Sequence, residues 1–306
     1  MDRLDGKVGV VTGSASGLGR AMAERFAREG MVAVVADNRL AEAEVVAKEI
    51  ERAGGQAVAI EVDVTERDSV VALCDRVDDE LGGASVLVNN AGVVSFTPIA
   101  EPEDRGWRWI VDVNLFGVIH GIQTFLPRML ECGTEGHIVN TASLAGVVGG
   151  GGLTSNRIQL GDSTPELGAM YGYMATKHAV VAISETLARD LSGSRIGVSV
   201  LCPSHHENTG IYENSARFRP DAAGGPMSEE QQQATFGRTD QQREDAFGWR
   251  PQHRFPDECA ARVVRAIREE QFYIFTHPET RAVVEHRYAE MLAGFDDADS
   301  FAGEMS

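Results

Sequence analysis

Residues 8–19 read Val8-Gly9-Val10-Val11-Thr12-Gly13-Ser14-Ala15-Ser16-Gly17-Leu18-Gly19, and the reading of this stretch decides the fold. A continuously apolar run of strand formers ends at Thr12, and glycines follow at positions 13, 17 and 19. A helical period then begins: Leu18, Met22 and Phe26 recur every fourth residue, with Arg20, Glu24 and Arg25 outward and Gly30 as the stop. Glycines alone signal little, but strand, glycine turn and helix in this order form a dinucleotide-binding pattern. Gly13 permits the sharp turn, Gly17 lets backbone approach a pyrophosphate, and Gly19 lets the helix pack close to the strand. The helix N-terminus, with Ser16 and Leu18 beside it, offers free N–H groups and partial positive charge to the phosphates. Asp37 ends the next apolar run, twenty residues beyond Gly17, where a carboxylate accepts both hydroxyls of an adenosine ribose. A 2′-phosphate there meets like charge, so NAD is the expected cofactor; Arg39 nearby keeps NADP in view. The bland alternative is a turn that merely starts a helix.

Outward from this stretch, further apolar runs at 32–36, 57–62, 86–88, 138–141, 198–201 and 272–275 alternate with helical patterns such as 41–53 and 69–81, closed by Gly54 and Gly82. Short runs without polar alternation are strands covered on both faces. The expected fold is α/β, a doubly wound parallel sheet (Rossmann fold) of about seven strands with helices on both faces. Residues 1–295 are expected to form one catalytic domain, with substrate loops inserted at about 149–170 and 205–256 and an acidic, frayed tail at 296–306.

Lys and Arg number 28 against 46 Asp and Glu, a net charge of −18, which disfavours nucleic acid and anionic membrane surfaces as partners. Neither a secretory leader nor a run of about eighteen apolar residues is evident, and Cys74, Cys132, Cys202 and Cys259 are scattered, so a reduced cytoplasm is the expected setting. His205, His206 and Glu207 suggest a metal only superficially. Adjacent histidines point apart and no further ligand stands at suitable spacing, so no metal is expected.

Tyr173 and Lys177 lie four apart in an expected helix over 173–191 and share a face. A phenol of pKa about 10 is too weakly acidic to serve as a base near neutrality; a neighbouring ammonium and an oxidised nicotinamide lower it. Tyr173 would take a proton from a substrate hydroxyl as hydride leaves the same carbon. Tyr-x-x-x-Lys by itself is a common accident on a helix. Tyr171 is six residues before Lys177, well round the helix, and reads as a pocket wall.

Thr12–Gly19, Asp63-Val64, Asn89-Asn90-Ala91-Gly92, Asn114, Ser143, Tyr173 with Lys177, and Pro203 together make the chain resemble the short-chain dehydrogenase/reductase family across nearly its whole length. The resemblance implies that Asp63 and Val64 hold the adenine, that Asn90, Ala91, Gly92, Tyr173, Lys177 and Pro203 line the cofactor cleft, and that Asn114, Ser143, Tyr173 and Lys177 form a catalytic tetrad. In that set Ser143 donates to the substrate oxygen and the phenolate, Lys177 binds the nicotinamide ribose, and Asn114 holds a water that relays protons. It also implies a homodimer or homotetramer built through paired helices, here 107–130 and 173–191, where Val181, Ala182 and Ala188 leave a further weakly polar surface.

Two departures stand out. Thirty residues separate Ser143 from Tyr173, more than is usual in the family, so Ser143 qualifies only if the 149–168 segment loops outward; Ser163 is the fallback. The family's Pro-Gly after the sixth strand is here Pro203-Ser204. Val94, Phe96, Leu144, Tyr171, Ile211 and Phe218 are the candidate pocket residues and suggest a bulky apolar secondary alcohol or ketone, aromatic or polycyclic. Segments 113–130, 136–146, 214–220 and 272–290 bear a looser resemblance to bacterial Cα-dehydrogenases that oxidise lignin-derived aryl ethers. The rival readings are an NADPH-dependent ketone or 3-oxoacyl reductase and a non-catalytic dinucleotide sensor or scaffold.

Overall fold

The computed structural model describes residues 1–94, 105–149, 170–206, 208–218 and 254–304. Seven strands form one sheet: β1 (Val8–Thr12), β2 (Val32–Asp37), β3 (Gln56–Glu61), β4 (Val86–Asn89), β5 (Gly136–Thr141), β6 (Ile196–Cys202) and β7 (Tyr273–Phe275). Their order is 3-2-1-4-5-6-7 and every pairing is parallel. Among the described residues the α-helices are α1 (Gly17–Arg28), α2 (Leu40–Arg52), α3 (Arg67–Leu81), α4 (Arg105–Val111), α5 (Gly117–Cys132), α6 (Tyr171–Asp190), α7 (Ile211–Phe218), α8 (Pro256–Glu269) and α9 (Arg281–Glu304). The doubly wound sheet expected from the alternating pattern is the one observed.

Strand residues alternate between two cores. Val10, Val34, Leu87, Ile138 and Val200 face one layer with Leu73, Phe125 and Val180. Val11, Val35, Val88, Val139 and Leu201 face the other with Met22, Phe26, Val46 and Val263. Both faces being covered explains why these strands carry no polar alternation. The chain reverses its winding between β1 and β4, which are neighbours in the sheet. A parallel sheet opens a crevice at the carboxyl ends of its strands at such a point. Thr12 and Asn89 end the two strands there, and Thr12 Oγ1 accepts from the backbone N–H groups of Asn90 (3.0 Å) and Ala91 (3.1 Å), tying the two lips together.

Three expectations need correction. The tail is not frayed from residue 296: α9 continues to Glu304. The helical run Gly106–Cys132, in which an 18-residue window reaches a mean hydropathy of 1.3, is long and apolar enough to cross a membrane by length and composition, contrary to the expectation of no such stretch. Here it lies in the helical layer, with Val118, Ile122, Phe125 and Met129 of α5 buried against the sheet. Val181 is also buried within its own chain, so of the weakly polar surface of α6 it is Ala182 that stays exposed. Phe96, Ser163 and most of the two expected substrate loops lie outside the described residues.

Candidate active site

The glycine turn has the tightness that a nucleotide cradle requires. Gly13 and Gly17 hold φ values of +65° and +57°, the left-handed region that favours glycine. A Cβ on Gly19 would stand 2.3 Å from the Gly13 carbonyl oxygen and 2.6 Å from Asn90 Nδ2, so α1 reaches the turn only because that atom is missing. A Cβ on Gly17 would stand 2.4 Å from the Thr209 carbonyl oxygen, which places the lead-in to α7 directly against the turn. Ser16 caps α1 through its backbone, and its side chain spends no bond on the first-turn N–H groups. Asn90 Nδ2 donates to the carbonyls of Thr12 (2.9 Å) and Gly13 (3.3 Å), fixing the opposite lip.

Asp37 closes the adenosine end. Its buried carboxylate accepts from Ala15 N (2.9 Å), Arg39 N (3.1 Å) and Arg39 Nε (3.0 Å). The residue predicted to bind ribose is therefore already ion-paired with the residue that kept NADP in view. Asp63 is exposed and accepts from Thr65 N and Oγ1, while Val64 is buried against Gly117 and its carbonyl meets His120 Nδ1 at 3.0 Å. The short glycine turn, the open helix N-terminus and the carboxylate at the end of β2 fit a dinucleotide.

The second half of the site assembles at the ends of β4, β5 and β6. Ser143 follows β5 and starts the short turn Leu144–Gly146, its Oγ accepting from Ala145 N at 3.1 Å. Gly146 seats this turn on α6: a Cβ there would lie 2.5 Å from the Lys177 carbonyl oxygen. Ser143 thereby stands close enough to the Tyr173 phenol to draw its pKa down despite the thirty residues between them. Burial pushes the Tyr173 phenol up to about 12; the Ser143 bond pulls the other way, and Tyr212 of α7 adds to the rise. In the protein alone the phenol is thus shifted opposite to the direction expected from the sequence, because loss of solvent outweighs the neighbouring groups. Lys177 Nζ donates to the Thr141 carbonyl at 2.8 Å and stands 5.6 Å from the centre of the Tyr173 ring. Burial lowers the Lys177 ammonium to about 8, against a smaller opposing effect of Cys202.

Asn114 is fully buried in a π-helical segment, Asp112–Phe116, between α4 and α5. Its Oδ1 accepts from Val93 N (2.8 Å) and its Nδ2 donates to Val93 O (2.9 Å). Gly92 sits between the two polar residues: a Cβ there would approach Asn114 Oδ1 to 3.3 Å and Lys177 Nζ to 3.5 Å. Pro203 follows β6 and accepts from Leu144 N at 2.8 Å. Val94 and Leu144 are buried, Ile211 is half-buried at the start of α7, and Tyr171 is 44% exposed; the Phe218 side chain, like Phe96, is outside the described residues. His206, one of the rejected metal candidates, is buried edge-on to His277 at 5.0 Å. Sequence reading missed Thr141, Ser215 and Asn214. Ser215 Oγ accepts from Val94 N at 2.8 Å, a pairing across 121 residues that no local pattern announces.

Residues 7–155 match the family model described as short chain dehydrogenase. A Cα-dehydrogenase of Sphingobium sp. strain SYK-6 is 30% identical over 296 residues, covering 95% of this chain and 87% of the relative. A crystal structure of a short-chain dehydrogenase/reductase from Burkholderia phymatum in complex with NAD is 35% identical, with a TM-score of 0.79 over 96% of this chain and 97% of the other. The chain belongs to the short-chain dehydrogenase/reductase family. A 3-oxoacyl-(acyl-carrier-protein) reductase of Thermotoga maritima is a further relative, 31% identical over 67% of this chain and 76% of the relative. As a member of the family this dehydrogenase is an NAD(P)-dependent oxidoreductase. That sets aside the sensor or scaffold reading, and a nicotinamide dinucleotide is its cofactor.

Proposed function

We propose that this dehydrogenase uses NAD to oxidise a bulky apolar secondary alcohol, aromatic or polycyclic, with Tyr173 as general base and as the acid in the reverse direction. The observation that carries the reading is the assembly of Ser143, Tyr173 and Lys177 at the strand ends beside the glycine turn. Bound nicotinamide supplies the hydride acceptor. Ser143 holds the substrate hydroxyl on the phenol, Tyr173 takes the hydroxyl proton as the C–H bond gives up its hydride, and the carbon becomes a ketone. Lys177 stabilises the phenolate and binds the nicotinamide ribose. Asn114, already committed to Val93, holds the loop that carries Gly92 under Lys177 and lends its position to a proton-relaying water. Gly13, Ser16, Gly17, Leu18 and Gly19 bind the pyrophosphate, Asp37 the adenosine ribose, and Asp63 with Val64 the adenine.

NAD is favoured because the carboxylate of Asp37 ends β2, where a 2′-phosphate would meet like charge. Val94, Leu144 and Ile211 give the pocket its apolar lining, and the similarity to a Cα-dehydrogenase over nearly the full chain supports an aryl-substituted alcohol. The second reading is an NADPH-dependent ketone or 3-oxoacyl reductase, favoured by the Arg39 guanidinium that neutralises Asp37 at 3.0 Å. The test is a cofactor titration followed by a screen of aromatic and polycyclic secondary alcohols by absorbance of reduced cofactor. Turnover with NAD at least tenfold more efficient than with NADP supports the first reading; a clear preference for NADPH with 3-oxoacyl or simple ketone substrates selects the second.

A further inference from the structure

We propose that Arg39, Ser16 and Asn214 form a latch that ties helix α7 to the adenosine end of the cofactor cleft and sets how fast the dinucleotide leaves. This rests on the dinucleotide reading above. Arg39 spreads its guanidinium over three elements: Nε donates to Asp37 Oδ1 (3.0 Å), Nη2 to Ser16 Oγ (3.0 Å) and Nη1 to Asn214 Oδ1 (3.1 Å). Asn214 Nδ2 closes the ring by donating to Ser16 Oγ at 3.2 Å. The glycine turn, the loop after β2 and α7 are thus held by one polar network at the place where phosphate and ribose are read.

The same helix is fastened on the far side of the cleft. Ser215, the next residue, accepts from Val94 N at 2.8 Å beyond β4, and the Thr209 carbonyl lies against Gly17. Helix α7 therefore bridges the β1 turn and the β4 loop, across the crevice that the dinucleotide occupies. Among its described side chains Ser215 is buried, Ile211, Tyr212 and Asn214 are half-buried and Arg217 is exposed. A short helix tied by hydrogen bonds at both lips of the cleft can be released by breaking those bonds, which suits an element that must open for exchange. Arg39 also answers to the ligand. Its partner carboxylate is the group that accepts the ribose hydroxyls, so nucleotide binding at Asp37 and the grip of Arg39 on α7 draw on the same acceptor.

The test is stopped-flow displacement of NADH from the full-length enzyme by excess NAD, followed by NADH fluorescence. Asn214→Ala should speed release about tenfold, the effect of losing two hydrogen bonds of which one is charge-assisted. Asn214→Asp keeps the acceptor for Arg39 and should stay within about threefold of the parent. Arg39→Ala combined with Asn214→Ala should release no faster than the faster single variant, because both break one network. Amide hydrogen exchange over residues 211–218 in the NADH complex should rise in Asn214→Ala, which separates latch opening from misfolding elsewhere. Unchanged release in Asn214→Ala, or independent additive effects of the two substitutions, would overturn the latch while leaving the dehydrogenase reading intact. Failure of the parent protein to bind NADH or NADPH would overturn both.

Discussion

A phenol pushed up to about 12 by burial is a poor base, and the chemistry depends on the groups that bring it down. Lowering it to about 8 requires about 5 kcal/mol of preferential stabilisation of the phenolate. A full charge on Lys177, 5.6 Å from the ring centre, contributes about 3 kcal/mol at an effective dielectric near 20. Ser143 already acts within the value of about 12, so the cationic ring of oxidised nicotinamide is left to supply the remainder. Once formed, the phenolate also favours retention of the Lys177 proton, so the two groups titrate as a pair. Lys177→Met should therefore move the acid limb of the kcat/KM profile for alcohol oxidation about two units toward alkaline pH, the equivalent of the lost charge. An acid limb that stays in place would show that Lys177 acts on ribose binding alone. The Tyr-x-x-x-Lys spacing was legible in the sequence. The direction of the Tyr173 shift was not, since desolvation depends on residues distant in sequence, among them Ser143 and Tyr212.

Among the elements, the strands were the most legible. Runs of Val, Ile and Ala free of polar alternation mark a sheet covered twice, and each expected strand lies within two residues of the observed one. The π segment at Asp112–Phe116 was invisible. A local change of helical pitch leaves no mark in a run such as Ile110-Val111-Asp112-Val113-Asn114, yet one inserted residue rotates the rest of the helix by about 100° relative to an unbroken one. Helix α9 was misjudged because the acidic residues 296–299 read as tail, although the helix that precedes them simply continues. Close approach of α5 to β4 supplies a test of this packing. A Cβ at Gly121 would fall 2.0 Å from Asn89 Oδ1, and Asn89 Nδ2 donates to Asn140 Oδ1 at 2.9 Å in the buried centre. Gly121→Ala should cost about 1–3 kcal/mol by overpacking, read as a lower urea midpoint at unchanged m. A midpoint equal to the parent's would mean that α5 stands further from the sheet.

For the molecule as a whole, stability against acid is set by buried histidines as well as by the −18 net charge. Burial holds His137 down to about 4, and burial together with the charge of His206 holds His277 at about 4 as well. Both folded values lie below the ordinary histidine value, so the unfolded chain takes up protons first as pH falls. Their contribution is complete above about 6.5 and is lost between about 6.5 and 4, up to about 3 kcal/mol for each. Tm should fall steeply across that window; a flat Tm would show that neither ring is desolvated in solution. The central claim is that one fold separates nucleotide binding from proton transfer, with the Tyr173 hydroxyl responsible for the second. Its most direct test compares Tyr173→Phe with Tyr171→Phe for NAD binding and for turnover of an accepted alcohol. Tyr173→Phe should bind NAD within about threefold of the parent while turnover drops by about 10²–10⁴, the usual worth of a general base, and Tyr171→Phe should keep most of its activity. Equal turnover in the two variants would contradict the account.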